Sequence, residues 1–582
     1  MKKSFIAEYI GRMLPAIILG QMVMTICTTI DAIITTQFLG NNAVAGEGLV
    51  TPVTLIIIAV AGIMSAGNAT ICSNESGKGN VDEMNRVFST TLTVSLVFSI
   101  VCTVLVLLFA NQICAGLGPA EGTELFRMTR DYMTGYVPLM PILAVVTTLP
   151  AMLQIEGDNK TNILVVVLVF VLDIAFDLLN VLVIHGGVLG MALATTFSYY
   201  IAGAVMLFRF FGKKRVIRFS LKYVELRRVG RIMSYGTPAF VNALCLGLTS
   251  AALNGAFLKY GSELYVAAFT IVSKIGDVLL CVCYGSEEMT SMVTGIANGE
   301  EDRNELKEIL RIMCRHSVVV NLILTAATWI CGSLLVRVFT GDTAMIGLAT
   351  FGLRIFALQF VFRTLLMCYV GYLRGIKRFM AGNILLAVMA ASAAAFAWAA
   401  PLAFGVSAVW YSYFISTVFS LLYLLLFVGF TVKASPFSWD SLILQPASYG
   451  IQEENYLEKS IHDIPELCSF SEDVADFAVS HDGSSQQAYL LSLFTEEMGK
   501  NVLTWAFCDE KEHRFMIKVM KNSEDFILRF RDDGKQFDPT EYYRIQESKK
   551  PYDNFGIHLV METAKDVTYI NTMNLNNLLV KM

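Results

Sequence analysis

The sequence predicts an all-α polytopic membrane protein, twelve transmembrane helices in two six-helix repeats, followed by a small α/β-sandwich domain. Three observations predict it. Mean hydropathy is +0.57 and only 16% of the 582 residues are charged, too apolar for a soluble chain. Apolar runs of about 20 residues, the length that crosses a bilayer as a helix, recur up to about residue 430. From about residue 449 the composition becomes that of a charged globular domain, and a polar joint, Lys433 to Gly450 with Pro436 and Pro446, separates the two parts. The expected units are therefore an N-terminal transmembrane lobe (1–222), a C-terminal transmembrane lobe (223–432), a linker (433–450) and a tail domain (451–582).

A net charge of -5 gives no basis for nucleic-acid binding. Of the 12 cysteines most lie scattered within apolar runs, where they act as small apolar side chains, and no spacing reads as a disulfide framework or a zinc site. The first apolar run is too long for a signal peptide and lacks a small-residue cleavage site, so it is expected to stay as a span.

The twelve expected spans lie near 14–38, 48–72, 87–110, 131–154, 162–184, 188–208, 234–257, 264–290, 317–337, 350–373, 380–402 and 406–430. The loop from Arg209 to Arg231 carries nine Lys or Arg, and Lys78, Arg86, Lys160, Arg374, Lys377 and Arg378 fall on the same side. The positive-inside rule makes that side cytoplasmic, which puts both termini in the cytoplasm of a cell (inner) membrane protein.

Offsets of 220 to 223 residues recur: Pro15 with Pro238, Gly40 with Gly261, Gly79 with Gly299, Asn162-Ile163-Leu164 with Asn383-Ile384-Leu385. An even number of spans per copy gives both copies one orientation, an arrangement suited to two bundles rocking around a central cavity.

The fifth span, Asn162 to Ile184, holds two aspartates, Asp173 and Asp177, four apart and so on one helix face. A carboxylate inside hydrocarbon is costly unless protonated, paired or hydrated, which marks it as a functional candidate. Asp31 sits 17 residues up the first span and Asp177 15 residues up the fifth, about 22 to 26 Å from the cytoplasmic side. Thr195 lies at matching depth in the sixth span. These groups can meet in the outer half of the first lobe, with Asn180 as a further polar neighbour, and protonation there would bias packing around Pro15, the expected kink of the first span.

Over residues 10 to 430 the chain resembles the multidrug and toxic-compound extrusion (MATE) transporters. The marks are Pro15; Asp31 followed by Phe38-Leu39-Gly40 and Ala43-Val44-Ala45; the loop from Asn74 to Asn80; Asp177 ahead of Gly187-Val188-Leu189-Gly190 and Ala192-Leu193-Ala194-Thr195; Gly236-Thr237-Pro238; and Gly405-Val406. The resemblance implies that Asp31 and Asp177 carry a coupling proton or sodium ion, with Thr195 as polar partner and with Asp173 where that family usually has asparagine.

The second lobe differs. Asn254 stands where Asp31 stands in the first, and the tenth span offers Arg354 and Arg363 rather than an acid. Lys274 and Asp277 are expected to pair locally, and Glu287 or Glu288 to neutralise Arg363 or face a cationic substrate. Tyr284, Phe360 and Phe362 are aromatic candidates for cavity lining or packing.

The tail mixes helices with alternating strands such as His513 to Val519 and Asp525 to Arg531. Its stretches LFTEEMGKNVLTWAF, FRDDGKQFDP and NFGIHLVMETAKD resemble, in order, the N box and the two glycine boxes of the histidine-kinase-like ATPase fold, especially the anti-sigma-factor serine kinases. The resemblance implies ATP with Mg²⁺ as cofactor: Asn501 on the magnesium, Glu497 as catalytic base, Asp532 on the adenine amine, Gly534 and Gly556 admitting the nucleotide. Gln536 and Asn554 depart from the glycines usual there.

The leading expectation is an ion-coupled efflux transporter of organic cations or drugs, an antiporter, with a cytoplasmic regulatory ATP-binding domain. The tail's enzymatic candidate is ATPase or serine-kinase activity on an anti-sigma-type regulatory protein partner. The alternatives are a membrane-anchored sensor kinase signalling through the tail and a flippase for lipid-linked precursors.

Overall fold

The computed structural model describes residues 5–39, 41–117, 121–211, 216–446, 449–451, 453–507, 513–522, 525–546, 555–572 and 575–582. Gly40, Lys213, Lys214, Arg215 and Asn554, all used in the sequence reading, lie outside them.

The first lobe contains α1 (Phe5–Leu39), α2 (Asn41–Gly77), α3 (Val81–Leu108), α4 (Ala110–Gly116), α5 (Glu124–Tyr136), α6 (Met140–Ile155), α7 (Asn159–Leu179) and α8 (Gly187–Phe211). The second contains α9 (Val229–Tyr260), α10 (Glu263–Leu279), α11 (Cys281–Gly299), α12 (Arg303–Arg337), α13 (Thr343–Ala357), α14 (Phe360–Gly375), α15 (Phe379–Ala399), α16 (Pro401–Phe404) and α17 (Ser412–Val432). Among the described residues ten helices are long and apolar enough to cross a membrane, eleven if α13 and α14 form one bent span. The segment expected as the second span lies in α2, a 37-residue helix that is not one of the ten. Helix α1 runs unbroken through Pro15.

The repeat recurs in the backbone. Gly79 and Glu301, 222 residues apart, both take positive φ just before a capped helix. Asn80 accepts from Glu83 N at the start of α3, and Asp302 accepts from Glu305 N at the start of α12. Gly157 and Lys377, 220 apart, also take positive φ, ahead of α7, which Asp158 caps, and of α15, whose N-cap Arg378 makes no side-chain cap bond.

The lobes meet along α2, α9 and α11. A Cβ at Gly67 would collide with the carbonyl of Ile232, and one at Gly236 with that of Ile63, so these glycines let α2 and α9 touch backbone to backbone. At the ends of α2 and α11 the contact is polar. Asn74 Nδ2 donates to Gly375 O at 2.9 Å, and Asn298 Nδ2 donates to Asn74 Oδ1 at 2.8 Å.

The expected loose joint is packed. Its short helix α18 (Trp439–Leu442) lies against α14: Tyr369 and Tyr372 hydroxyls donate to the carbonyls of Leu442 and Ile443, and Ile443 and Leu444 are buried in the membrane-half core.

The tail folds as β1 (Tyr456–Ile461), α19 (Ile464–Ser480), α20 (Ser485–Asn501), β2 (Phe515–Lys521), β3 (Phe526–Asp532), α21 (Pro539–Gln546), α22 (Phe555–Thr563), β4 (Asp566–Thr572) and β5 (Leu575–Lys581). The sheet is antiparallel, in the order β1-β2-β3-β5-β4. Strand alternation turns Ile517, Val519, Leu528 and Phe530 toward Phe470, Leu491, Phe494 and Val560 of the helix layer. Each such buried apolar side chain contributes about 1.5–3 kcal/mol.

The other face of β2 and β3 presents Lys518, Arg529 and Arg531, and these dock on the α11–α12 loop. Lys518 Nζ lies 2.7 Å from Asp302 Oδ2, Arg529 Nη1 2.9 Å from Glu300, and Arg531 bridges Glu300 at 2.7 Å and Glu305 at 2.6 Å. Burial alone would raise the Glu300 carboxyl, but Arg529 and Arg531 outweigh it and hold it below the usual range. The first lobe is touched too, since a Cβ at Gly79 would stand 3.2 Å from Thr568 Cγ2 and 3.5 Å from Ile570 Cδ1.

Candidate functional site

Helices α1, α7 and α8 bring Asp31, Asp173 and Asp177 into one cluster, in electrostatic contact with each other and with Cys27. The two fifth-span acids differ in their surroundings. Asp173, 1% exposed, accepts from Ser198 Oγ at 3.2 Å and has Thr195 and Cys27 beside it. Asp177 is 0% exposed and neither of its oxygens has a hydrogen-bond partner among the described residues; Asp31 Oδ1 has none among them either. Asp31 and Asp177 face each other, and both are acceptors, so a bond between them needs a shared proton or a cation.

Asn180 stands three residues beyond Asp177, at the end of α7. Its Nδ2 donates to Gly187 O and its Oδ1 accepts from Gly186 N, which fixes the wide turn from α7 into α8. Thr195 sits at the cluster beside Asp173.

The sequence reading missed Glu47 and Ser198. Glu47 lies on α2, accepts from Tyr132 OH at 3.3 Å, and is in electrostatic contact with Asp31 and Asp177. It stands one residue before the run counted as a span and so reads as loop. Ser198 was legible as the residue one turn beyond Thr195 on the same helix face.

Between the lobes lies a cavity of about 540 Å³ whose polar lining includes Gln21, Asn162, Tyr284, Glu288 and Arg374. Gln21 Nε2 donates to Glu288 Oε2 across the lobe boundary at 3.2 Å. The expected neutralisation of Arg363 does not occur: Glu287 pairs with Arg374 at 3.4 Å, because Arg374 lies nearer along α14. Lys274 and Asp277 are both exposed and form no ion pair with each other.

In the tail the three stretches singled out in the sequence lie against one another. Asp532 Oδ1 accepts from Asn576 Nδ2 at 2.7 Å and from Gly534 N at 2.9 Å, and burial pushes its carboxyl up to about 6. Gly534 packs on Ala506, just past Asn501, and a Cβ at Gly556 would land on the carboxyl of Glu497.

Comparison with known proteins places this arrangement. The MatE family model matches residues 16–179 and 238–399, one block in each lobe. The multidrug export protein MepA of Staphylococcus saprophyticus is 22% identical over 343 residues, 57% of this chain and 74% of that protein; MepA of Staphylococcus haemolyticus is 23% identical over 344 residues, 58% and 75%. Among solved structures, MATE in complex with MaL6 superposes with a TM-score of 0.68 at 21% identity, over 72% of this chain and 94% of that one. An outward-facing multidrug resistance MATE transporter of the MOP superfamily gives 0.67 at 21%, over 73% and 97%. With its model matched over more than half of the 582 residues, in the two blocks that the internal repeat defines, the chain belongs to the MatE family.

Proposed function

We propose that the chain exports amphiphilic organic cations across the cell membrane in exchange for protons or sodium ions bound at Asp31 and Asp177, under regulation by a cytoplasmic ATP-binding tail. The observation that carries the reading is the facing pair Asp31 and Asp177, two buried acceptors whose missing partner has the character of a proton or a small cation. Asp173, already hydrogen-bonded by Ser198, serves to position its neighbours. In the inter-lobe cavity Glu288 supplies the negative charge that attracts a cation among apolar walls.

For the tail, Asp532 is a buried carboxylate fixed by Asn576 and Gly534, fit to accept from an adenine amine, and Gly534 and Gly556 let the backbone lie directly on Ala506 and on the Glu497 carboxyl, which holds the three stretches together. Asn501 would hold magnesium and Glu497 would act as base. Bound ATP supplies a phosphoryl donor. The docking supports a regulatory role, because the tail touches the α2–α3 loop of one lobe and the α11–α12 loop of the other. Separation of the lobes at that end has to disturb one of these contacts.

The test is dye efflux from proteoliposomes under an imposed proton or sodium gradient. Gradient-driven efflux is expected from the wild type and lost in Asp31→Asn and Asp177→Asn; wild-type rates in both variants would refute the coupling assignment.

A further inference from the structure

The tenth expected span is interrupted. Helices α13 and α14 meet at a 46° bend, and the first turn of α14 carries a guanidinium that forms no ion pair among the described residues. Arg363 is 2% exposed, and its Nε and Nη2 have no hydrogen-bond partner among the described residues. The groups in closest electrostatic contact are Tyr284, Cys283 and Tyr413, none of them a carboxylate. Glu287, engaged by Arg374, and Asp277 both act on Arg363 at longer range without forming an ion pair with it, and Glu288 is engaged by Gln21.

One turn earlier Gln359 is 0% exposed, and neither its Oε1 nor its Nε2 has a partner. A spacing of four places Gln359 and Arg363 on one face. Arginine cannot shed its charge by losing a proton, so an unpaired buried guanidinium is costly and calls for a ligand to complete it. The start of α14 adds the positive end of a helix dipole at the same break. The guanidinium, the Gln359 amide N–H and the helix start favour negative charge, while Gln359 Oε1 has to turn away from it.

We infer that Arg363 and Gln359, at the break between α13 and α14, form a binding site for a small singly charged anion, either a halide or the carboxylate of a larger molecule. Arg363 donates through Nε and Nη2, and Gln359 through Nε2. Tyr284 borders both this site and the inter-lobe cavity, so an anion held here lies next to the space between the lobes. The lobes then have opposite polarity, acids in the first and an arginine in the second.

The test is the thermal unfolding midpoint of the purified full chain at constant ionic strength, with chloride or formate replacing isethionate, a bulky sulfonate that is neither a halide nor a carboxylate. A ligand that binds only the folded state raises the midpoint progressively with its concentration. The expected result is such a rise in the wild type, abolished in Arg363→Gln and weakened in Gln359→Leu. A rise with chloride alone assigns a halide site; a rise with formate assigns a carboxylate site. Equal midpoints in all three anions, or an undiminished rise in Arg363→Gln, would overturn the inference. Should Arg363→Gln not fold, an undiminished rise in Gln359→Leu overturns it and a weakened one supports it.

Discussion

Arg531 of the tail sheet and Glu300 of the membrane half form a bidentate pair, with Arg531 Nη2 2.7 Å from both carboxylate oxygens across 231 positions of sequence. Arg531 is 1% exposed, so the pair is a buried one. Breaking such a pair from one side is destabilising by about 3–5 kcal/mol, because it strands a buried charge. Arg531→Met is therefore expected to loosen the tail and leave the lobes folded. Faster proteolysis of the 433–450 joint, with unchanged cleavage in the membrane half, is the readout.

Asp532 yields a pH prediction. Its carboxyl is raised by burial from 3.8 to about 6 in the folded tail. The folded state thus binds the proton more tightly than the unfolded state does. The stabilisation is complete at low pH and is lost as pH rises from about 4 to about 6. At neutral pH the ionised buried acid costs up to about 3 kcal/mol. Asp532→Asn keeps an oxygen acceptor for Asn576 and Gly534. It should protect the amides of β3 and β5 better from hydrogen exchange at pH 7 and remove ATP binding; lower protection would contradict the assignment.

Asn74 ties the lobes together through Gly375 and Asn298. Asn74→Ala removes both bonds and leaves buried groups unmet, a cost of about 1–3 kcal/mol per group to the closed arrangement. Cys72, 0% exposed and two residues away on α2, should then react faster with a thiol reagent, read by mass spectrometry of that residue.

Glu288 is expected to select charge. Glu288→Gln should slow export of a cationic dye by tenfold or more while an uncharged amphiphile is exported as before. Equal slowing of both would mean that Glu288 is structural.

Much of the membrane half is legible in the sequence, because burial in lipid imposes long apolar runs and because the repeat leaves fixed offsets such as Pro15 with Pro238, each inside the first helix of its lobe. Asp31 and Asp177 stand out for the same reason, as charges where few are tolerated. What escapes is decided by long-range packing. Arg529 and Arg531 alternate with apolar residues as a solvated strand face would, and only the acids near residue 300 make them an interface. The linker reads as polar, yet Ile443 and Leu444 find a groove on α14. Arg363 is expected to be neutralised by a nearby glutamate, whereas Arg374 on the same helix has the better approach to Glu287. Glu47 is hidden by the boundary of an apolar run, since a helix continues past the point where hydropathy falls.

The central claim is that Asp177, facing Asp31, carries the ion exchanged for substrate. The most direct measurement is proton release on adding a cationic substrate to purified protein in weakly buffered solution, with and without sodium and with no membrane gradient. Protons released as substrate binds, or a substrate affinity reduced by sodium, are the expected results, each lost in Asp177→Asn. Substrate binding that releases no proton and ignores sodium in the wild type would contradict the account.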